Sequence, residues 1–481
     1  MAQWSVIVNR THRVAGIAFS AALLIAALTP AVPALASTQT CGNSGAVTSL
    51  TGTLADKATY QIECPAGPWN GTLFLYSHGY VVPGSPNPAH DVGDPVTGTW
   101  LLGHGFALAG SSYATTGWAI QQALVDQPAT LDAFDQTYGT PTRTIAWGHS
   151  LGGIITAGLI QRYPKLFSAA LPMCGVLAGG VATWNTALDA EFAFQRLIDP
   201  SVQIVNITDP TANLNGAEVA AAVAQGTPQG RARLALAAAL GDTPGWFTPL
   251  SPEPAPNDFA GQEANQYQWE SQVDFPFTFA FRAELELRAG GNPSWNTGVN
   301  YVSDLAHSAD LREVLALYKA AGLSLSADLQ TLNHAKRVSA VPSAVNYLAD
   351  NIAFNGKLSM PVLTMHTTGD GLVVSQNEQA YRSVVNKAGN GRLLAQIFVH
   401  RAGHCAFTPA ETITAVQTLL NRLNTGRWGP LDPATLNSQA TALGSGYNIF
   451  AIGSNIYPTP PAFLRFRPTQ YLRPFDLPVH H

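Results

Sequence analysis

The chain reads as an α/β protein: a mostly parallel sheet covered by helices on both faces, with a large helical cap inserted between two late core strands and an extended arm at the C-terminus. Three observations predict this. Strand and helix signals alternate from Thr72 onward. The strand signals are short apolar runs, as expected of strands buried on both faces. The alternation stops near residue 180 and resumes at Pro361.

Residues 72–77 (TLFLYS) form a buried strand ending at His78-Gly79, and residues 106–112 form a second. Residues 123–138 have helical spacing. A third strand, 143–147, runs directly into a helix over 151–163, and a fourth, 167–171, is stopped by Pro172. Residues 180–357 are Ala-rich, with helical stretches at 184–198, 228–240, 261–289 and 309–335 joined by Pro/Gly loops. Because this segment leaves and re-enters between two strands, it is expected to cap the carboxyl edge of the sheet. Strands at 361–366 and 394–399 and a helix at 409–423 complete the alternation. The Pro- and aromatic-rich remainder has no clear periodicity but too many Tyr, Phe and Leu for a loose tail, which predicts an arm packed on the core. The organisation is therefore 1–36 signal peptide, 37–179 and 358–425 core, 180–357 helical cap and 426–481 C-terminal arm.

The first 36 residues carry an export signal. Arg10, His12 and Arg13 precede an apolar run over 14–28; Pro30 and Pro33 follow, and Ala34-Leu35-Ala36 supplies the small-x-small cleavage pattern. The run is short for a membrane span of about 20 residues. The mature chain is thus expected to be secreted, with no integral membrane segment after cleavage. Charged residues make up only 11% of the chain and its formal net charge is −5, which excludes a basic nucleic-acid-binding surface. Zinc-type Cys/His spacing and a Gly-rich phosphate loop are both missing from the sequence.

The chemistry centres on Gly148-His149-Ser150-Leu151-Gly152-Gly153, at a strand-to-helix junction. A nucleophile on such a turn is held in strained backbone geometry at the carboxyl edge of the sheet, and the flanking glycines let neighbouring chains approach. Serine needs a base, and the base needs an orienting acid. Asp370 lies in the loop after the strand that resumes beyond the insertion, and His404 lies after the last strand, giving the order Ser…Asp…His. His366 sits inside an apolar strand and reads as a core residue; His400 sits at a strand end, farther from the loop tip than His404; His149 reads as packing beside the turn. No acid follows the fourth strand (Met173-Cys174-Gly175) to compete with Asp370. An oxyanion would be received by the backbone N–H groups of Leu151 and of Tyr80, in the loop after the first core strand, which His78 and Gly79 shape.

Ser77-His78-Gly79-Tyr80, Gly148-His149-Ser150-Leu151-Gly152-Gly153, Gly369-Asp370 and Gly403-His404 together resemble the α/β-hydrolase superfamily of esterases, lipases and related peptidases, over residues 72–180 and 357–424. The resemblance implies an eight-stranded type of sheet, acyl transfer through a serine ester and no cofactor. The version of the motif around Ser150 is similar to that of lipase-like members. The large insertion and the C-terminal arm depart from the pattern. His404-Cys405 also resembles secreted tannase and feruloyl-esterase enzymes, in which a cysteine after the histidine is bridged near the nucleophile. Here His149, not a cysteine, precedes Ser150.

Four cysteines allow three pairings. Cys41 and Cys64 are the local pair. Cys174, just past the strand beside the nucleophile strand, and Cys405 lie at the same edge and are expected to bridge; two buried free thiols are the alternative, since a bridge needs Cα atoms within roughly 7 Å. The function predicted is a secreted carboxylic ester hydrolase acting on small-molecule or polymeric esters, with hydrophobic acyl or aryl groups suited to the aromatics of the insertion. The alternative is a serine exopeptidase, which would need cap carboxylates to hold an amine. Glu191, Glu263, Glu270, Glu284 and Glu286 lie in the insertion but read as solvated helix faces. A non-catalytic binding protein is disfavoured by the complete set of catalytic residue types.

Overall fold

The computed structural model describes residues 39–477. The expected signal peptide, 1–36, lies outside the described residues. Strands β1 (Thr48–Thr53), β2 (Thr59–Cys64), β3 (Thr72–Ser77), β4 (Ala107–Ser111), β5 (Arg143–His149), β6 (Ala169–Met173), β7 (Val362–Gly369) and β8 (Leu394–Ala402) are followed by a small hairpin, β9 (Ile449–Ile452) and β10 (Asn455–Pro458), and by β11 (Phe463–Leu464). The main sheet has nine strands in the order β1-β2-β4-β3-β5-β6-β7-β8-β11. From β4 to β8 the pairing is parallel, and the antiparallel strands β1, β2 and β11 lie at the two edges.

The central strands are buried on both faces, which is why their apolar runs are continuous rather than alternating. Helices Ile120–Tyr138, Leu151–Arg162 and Gln376–Lys387 pack on one face; Pro95–Gly103 and Pro409–Thr425 cover the other. The last of these begins with a full capping box: Thr408 accepts from the Glu411 N–H while Glu411 accepts from the Thr408 N–H. Pro172 does not stop β6. It pairs with Gly148 inside the ladder, and the strand continues to Met173. The arm is also more structured than its sequence suggests, because helix Pro433–Ala442, the hairpin and β11 are each too short to show a period.

Between β6 and β7 the insertion forms helices from Gly180 to Asp350. Its core brings together small residues such as Ala217, Ala221, Ala235 and Ala239 with Phe192, Phe194 and Phe279. The expected stretch at 309–335 is divided at Gly322, whose positive φ caps helix Leu311–Ala321. Helix Pro210–Gln225, with Asp209 as its N-cap, escaped the sequence reading. No helix among the described residues is long and apolar enough to cross a membrane.

The insertion's acids are not solvated faces. Glu191, Glu263, Glu270 and Glu286 are buried. Glu284 pairs with Arg288 and accepts the Trp118 N–H of the core at 3.1 Å. Arg282, fully buried, lies 3.1 Å from Glu286 and 3.7 Å from Glu191, and its other amino group bonds Asn292. Sequence pattern reports charge but not the partners that permit its burial. Replacing Arg282 with Ala leaves two buried carboxylates without their cation, so the expected cost is about 3–5 kcal/mol. Urea unfolding checks this, and a loss below about 1 kcal/mol would refute it.

Candidate active site

Strand β5 delivers Ser150 into a turn with φ 58° and ψ −124°, after which helix Leu151–Arg162 begins immediately. L side chains rarely adopt this conformation, and here the surroundings enforce it. The Ser150 N–H bonds the Met173 carbonyl of the neighbouring strand at 3.0 Å, and the Ser150 carbonyl accepts from Gly153 at 2.8 Å. A side chain at Gly152 would run into the Ser77 carbonyl, and one at Gly153 into Gly175. The strand, the loop after β3 and the helix therefore close on one another only with glycine at these places.

Asp370, 1% exposed, follows β7. One of its oxygens accepts the Val373 N–H at 3.0 Å; the other lies 2.8 Å from His404 Nδ1. That pairing fixes the ring so that Nε2 is the free nitrogen. Among the described residues no hydrogen bond joins Ser150 Oγ to His404, and His404 Nε2 lies 3.4 Å from Cys405 Sγ. The loop is nonetheless brought to the turn. Cys405 is bridged to Cys174, with their Cα atoms 5.4 Å apart, and Cys174 directly follows the Met173 that holds Ser150. Cys41 and Cys64 form the second bridge. Both Cys174 and Cys405 take positive φ, so three non-glycine residues with left-handed backbone, Ser150 included, meet at this edge.

On the opposite side of Ser150, the Gly79 Cα faces the serine Cβ, close enough that an added methyl would sit 3.4 Å from it. His78 is anchored by the Gly79 and Ser112 carbonyls and stacks on Tyr113 with centroids 4.0 Å apart. The N–H groups of Tyr80 and Leu151 have no acceptor among the described residues, and both residues line the cavity over Ser150. His149 turns away from that cavity: its Nδ1 meets the Tyr76 hydroxyl at 3.1 Å, and burial, then the nearby His404 ring, push it down to about 4. It is a neutral packing group. His400 is exposed and pairs with Glu253. His366 is a buried core residue with a further role. It contacts Glu378 at 3.3 Å and lies 3.6 Å from Asp370, behind the His404 pairing.

The cavity, about 140 Å³, is roofed by the insertion and mostly apolar, with Trp118, Phe277 and Tyr471 among its walls. Tyr471 comes from the arm. Glu191, Glu270 and Asp274 also reach it. The sequence reading missed Asp274 and took Glu270 for a surface residue. The signal was present: both sit in a run from Trp269 to Phe281 rich in Phe and interrupted by Pro276. In the structure that run winds as π-helical turns, Glu270–Asp274 and Pro276–Phe281, a form that concentrates at functional sites.

The parallel core order β4-β3-β5-β6-β7-β8, a serine turn after β5, and an acid and a histidine after β7 and β8 define the class: a serine hydrolase of α/β-hydrolase fold. The chain has the fold of the α/β-hydrolases. No protein-family model matches it. It is similar to the o-phthalyl amidase of Xanthobacter agilis, 29% identical over 434 residues that cover 83% of this chain and 93% of the relative. Solved structures like it, more distantly, include an esterase from Aspergillus oryzae (12% identity, TM-score 0.39, 89% of this chain and 88% of that one). A rice cell wall degrading esterase from Xanthomonas oryzae is another (13%, 0.35, 78% and 87%).

Opening the Cys174–Cys405 bridge frees a loop of 231 residues and unpins His404. In the chain-entropy account, a Cys174→Ala/Cys405→Ala double variant loses about 4–5 kcal/mol of stability. Thermal unfolding should show a large drop in Tm, and an unchanged Tm would contradict it.

Proposed function

We propose that this chain is an exported serine hydrolase that cleaves carboxylic esters of hydrophobic acyl or aryl groups through an acyl-enzyme. The observation that carries the reading is the enforced backbone of Ser150 at the floor of an apolar cavity, beside the 2.8 Å contact between His404 and Asp370. In this reading Ser150 attacks the carbonyl and His404 Nε2 takes its proton, then gives it to the leaving oxygen as the ester C–O bond breaks and the alcohol departs. Asp370 steadies the imidazolium, and the N–H groups of Tyr80 and Leu151 receive the oxyanion. The Ser150–His404 hydrogen bond forms when substrate fills the cavity, as catalytic contacts often do. Water then repeats the sequence on the serine ester and releases the acid. Residues 37–179 with 358–425 carry this chemistry, and 180–357 gates it. Four cysteines paired in two bridges support an oxidising destination, in keeping with the N-terminal export signal.

Amide cleavage is a second reading, favoured by the likeness to an o-phthalyl amidase. The same triad serves both, since His404 gives its proton to a leaving nitrogen in an amide as it does to a leaving oxygen in an ester.

Ser150→Ala should lower kcat on p-nitrophenyl esters by several orders of magnitude while the chain stays folded. A fluorophosphonate probe should label Ser150 alone, as read by peptide mapping. Retention of most esterase activity in the variant, or labelling at another residue, would overturn the assignment.

A further inference from the structure

We propose that Glu270 and Asp274 form an ammonium-binding subsite in the cavity over Ser150, so that the substrate carries a protonated amine beside its apolar body. The word substrate rests on the hydrolase reading above; the subsite rests on separate observations.

Both carboxyls lie on one π-helical turn and line the same cavity as Ser150. Glu270 is 5% exposed, and its Oε2 has no hydrogen-bond partner. No donor among the described residues reaches the Asp274 carboxyl either. Several neighbouring acids have a cation or a donor. Glu286 has Arg282, Glu284 has Arg288, Glu263 has Gln225, Glu313 has Gln266, and Glu191, though not hydrogen-bonded, lies 3.7 Å from Arg282. Asp242 is also unpartnered but does not line this cavity. The charges acting on Glu270 are Asp274, Glu263 and Glu313, and on Asp274 the triad acid Asp370, all of one sign. Burial comes first and like charge second, and together they push both carboxyls well above the ordinary carboxylate range.

An unpaired buried carboxyl is costly, and no lysine or arginine lines this cavity to offset it. What the site lacks is a donor-only cation. A primary ammonium offers three N–H donors and no acceptor, which matches two acceptors held one turn apart. Its entry restores ionisation of the carboxyls and pairs the charges inside a mostly apolar cavity. Trp118, Phe277 and Tyr80 give the organic part an aromatic wall over which a cation is also attracted. A substrate carboxylate would meet like charge there. The expected ligand is therefore an amine-bearing acyl compound rather than an acidic one.

Titration calorimetry on the folded chain with benzylammonium, benzyl alcohol and benzoate tests this without turnover. Benzylammonium should bind at least about tenfold more tightly than benzyl alcohol, with benzoate weakest. That preference should shrink several-fold in Glu270→Gln and in Asp274→Asn; if one variant unfolds, the other and the wild-type series still decide. Benzyl alcohol or benzoate binding as tightly as the amine overturns the proposal. So does undetectable amine binding, or a preference unchanged in the folded variants. Because the readout is binding, failure of the Ser150→Ala experiment and failure here are distinguishable.

Discussion

The constraint on which the structure depends is the backbone of Ser150. A residue with φ 58° between a buried strand and a buried helix survives only if its neighbours leave it no alternative. They do so by contact of main chain on main chain. Gly148 and Gly152 admit the Ser77 carbonyl, Gly153 admits Gly175, and Met173 takes the serine N–H. These contacts tie the turn to β3 on one side and to β6 and the loop after it on the other, so the sheet order is itself part of the site. The cost of the strained residue is spread over the whole parallel core.

From that point the rest of the site follows the sheet outward. β6 ends beside Cys174, β7 ends beside Asp370, and β8 ends at the loop holding His404 and Cys405. The register between β7 and β8 slips between Thr367 and Gly369, and Gly369 then faces Ala402. The slip brings the acid and histidine loops together, so the 2.8 Å contact of Asp370 with His404 is built on strand ends. Behind it His366 and Glu378 fill the core. Burial alone would lower the imidazole's pKa. The hydrogen bond to Glu378 and the charge of Asp370 raise it instead.

The elements legible in sequence were those whose signal is local. β3 is a continuous apolar run and was bounded correctly from residue types alone. The positions of Ser150, Asp370 and His404 could be read because glycines and strand ends mark them. The Cys174–Cys405 pairing could be read because strand order brings both to one edge. What escaped was set by tertiary packing. β11 has two residues and exists because the edge of β8 was open to pair with. Pro172 stays in a central strand although it cannot donate to the ladder. Helix Pro210–Gln225 escaped although Asp209 and Pro210 are ordinary start signals.

The acids of the insertion escaped for a deeper reason. A glutamate on an amphipathic helix is counted as a polar-face residue, and in a continuous α-helix that count is usually right. Here the helix starting at Phe259 passes into π turns at Glu270, which rotates every later side chain relative to an α-helical wheel. Glu270 and Asp274 thereby face the cavity, while Phe277 and Phe281 come to rest on Tyr80 of the loop after β3; Glu191 and Glu263, on α-helical turns, are buried by packing that the wheel does not report. The same winding that turns aromatics onto Tyr80 thus turns two carboxyls into the cavity. One irregular stretch links the insertion to the chemistry, so changes of winding there would alter the roof over Ser150 and the charge facing it at once.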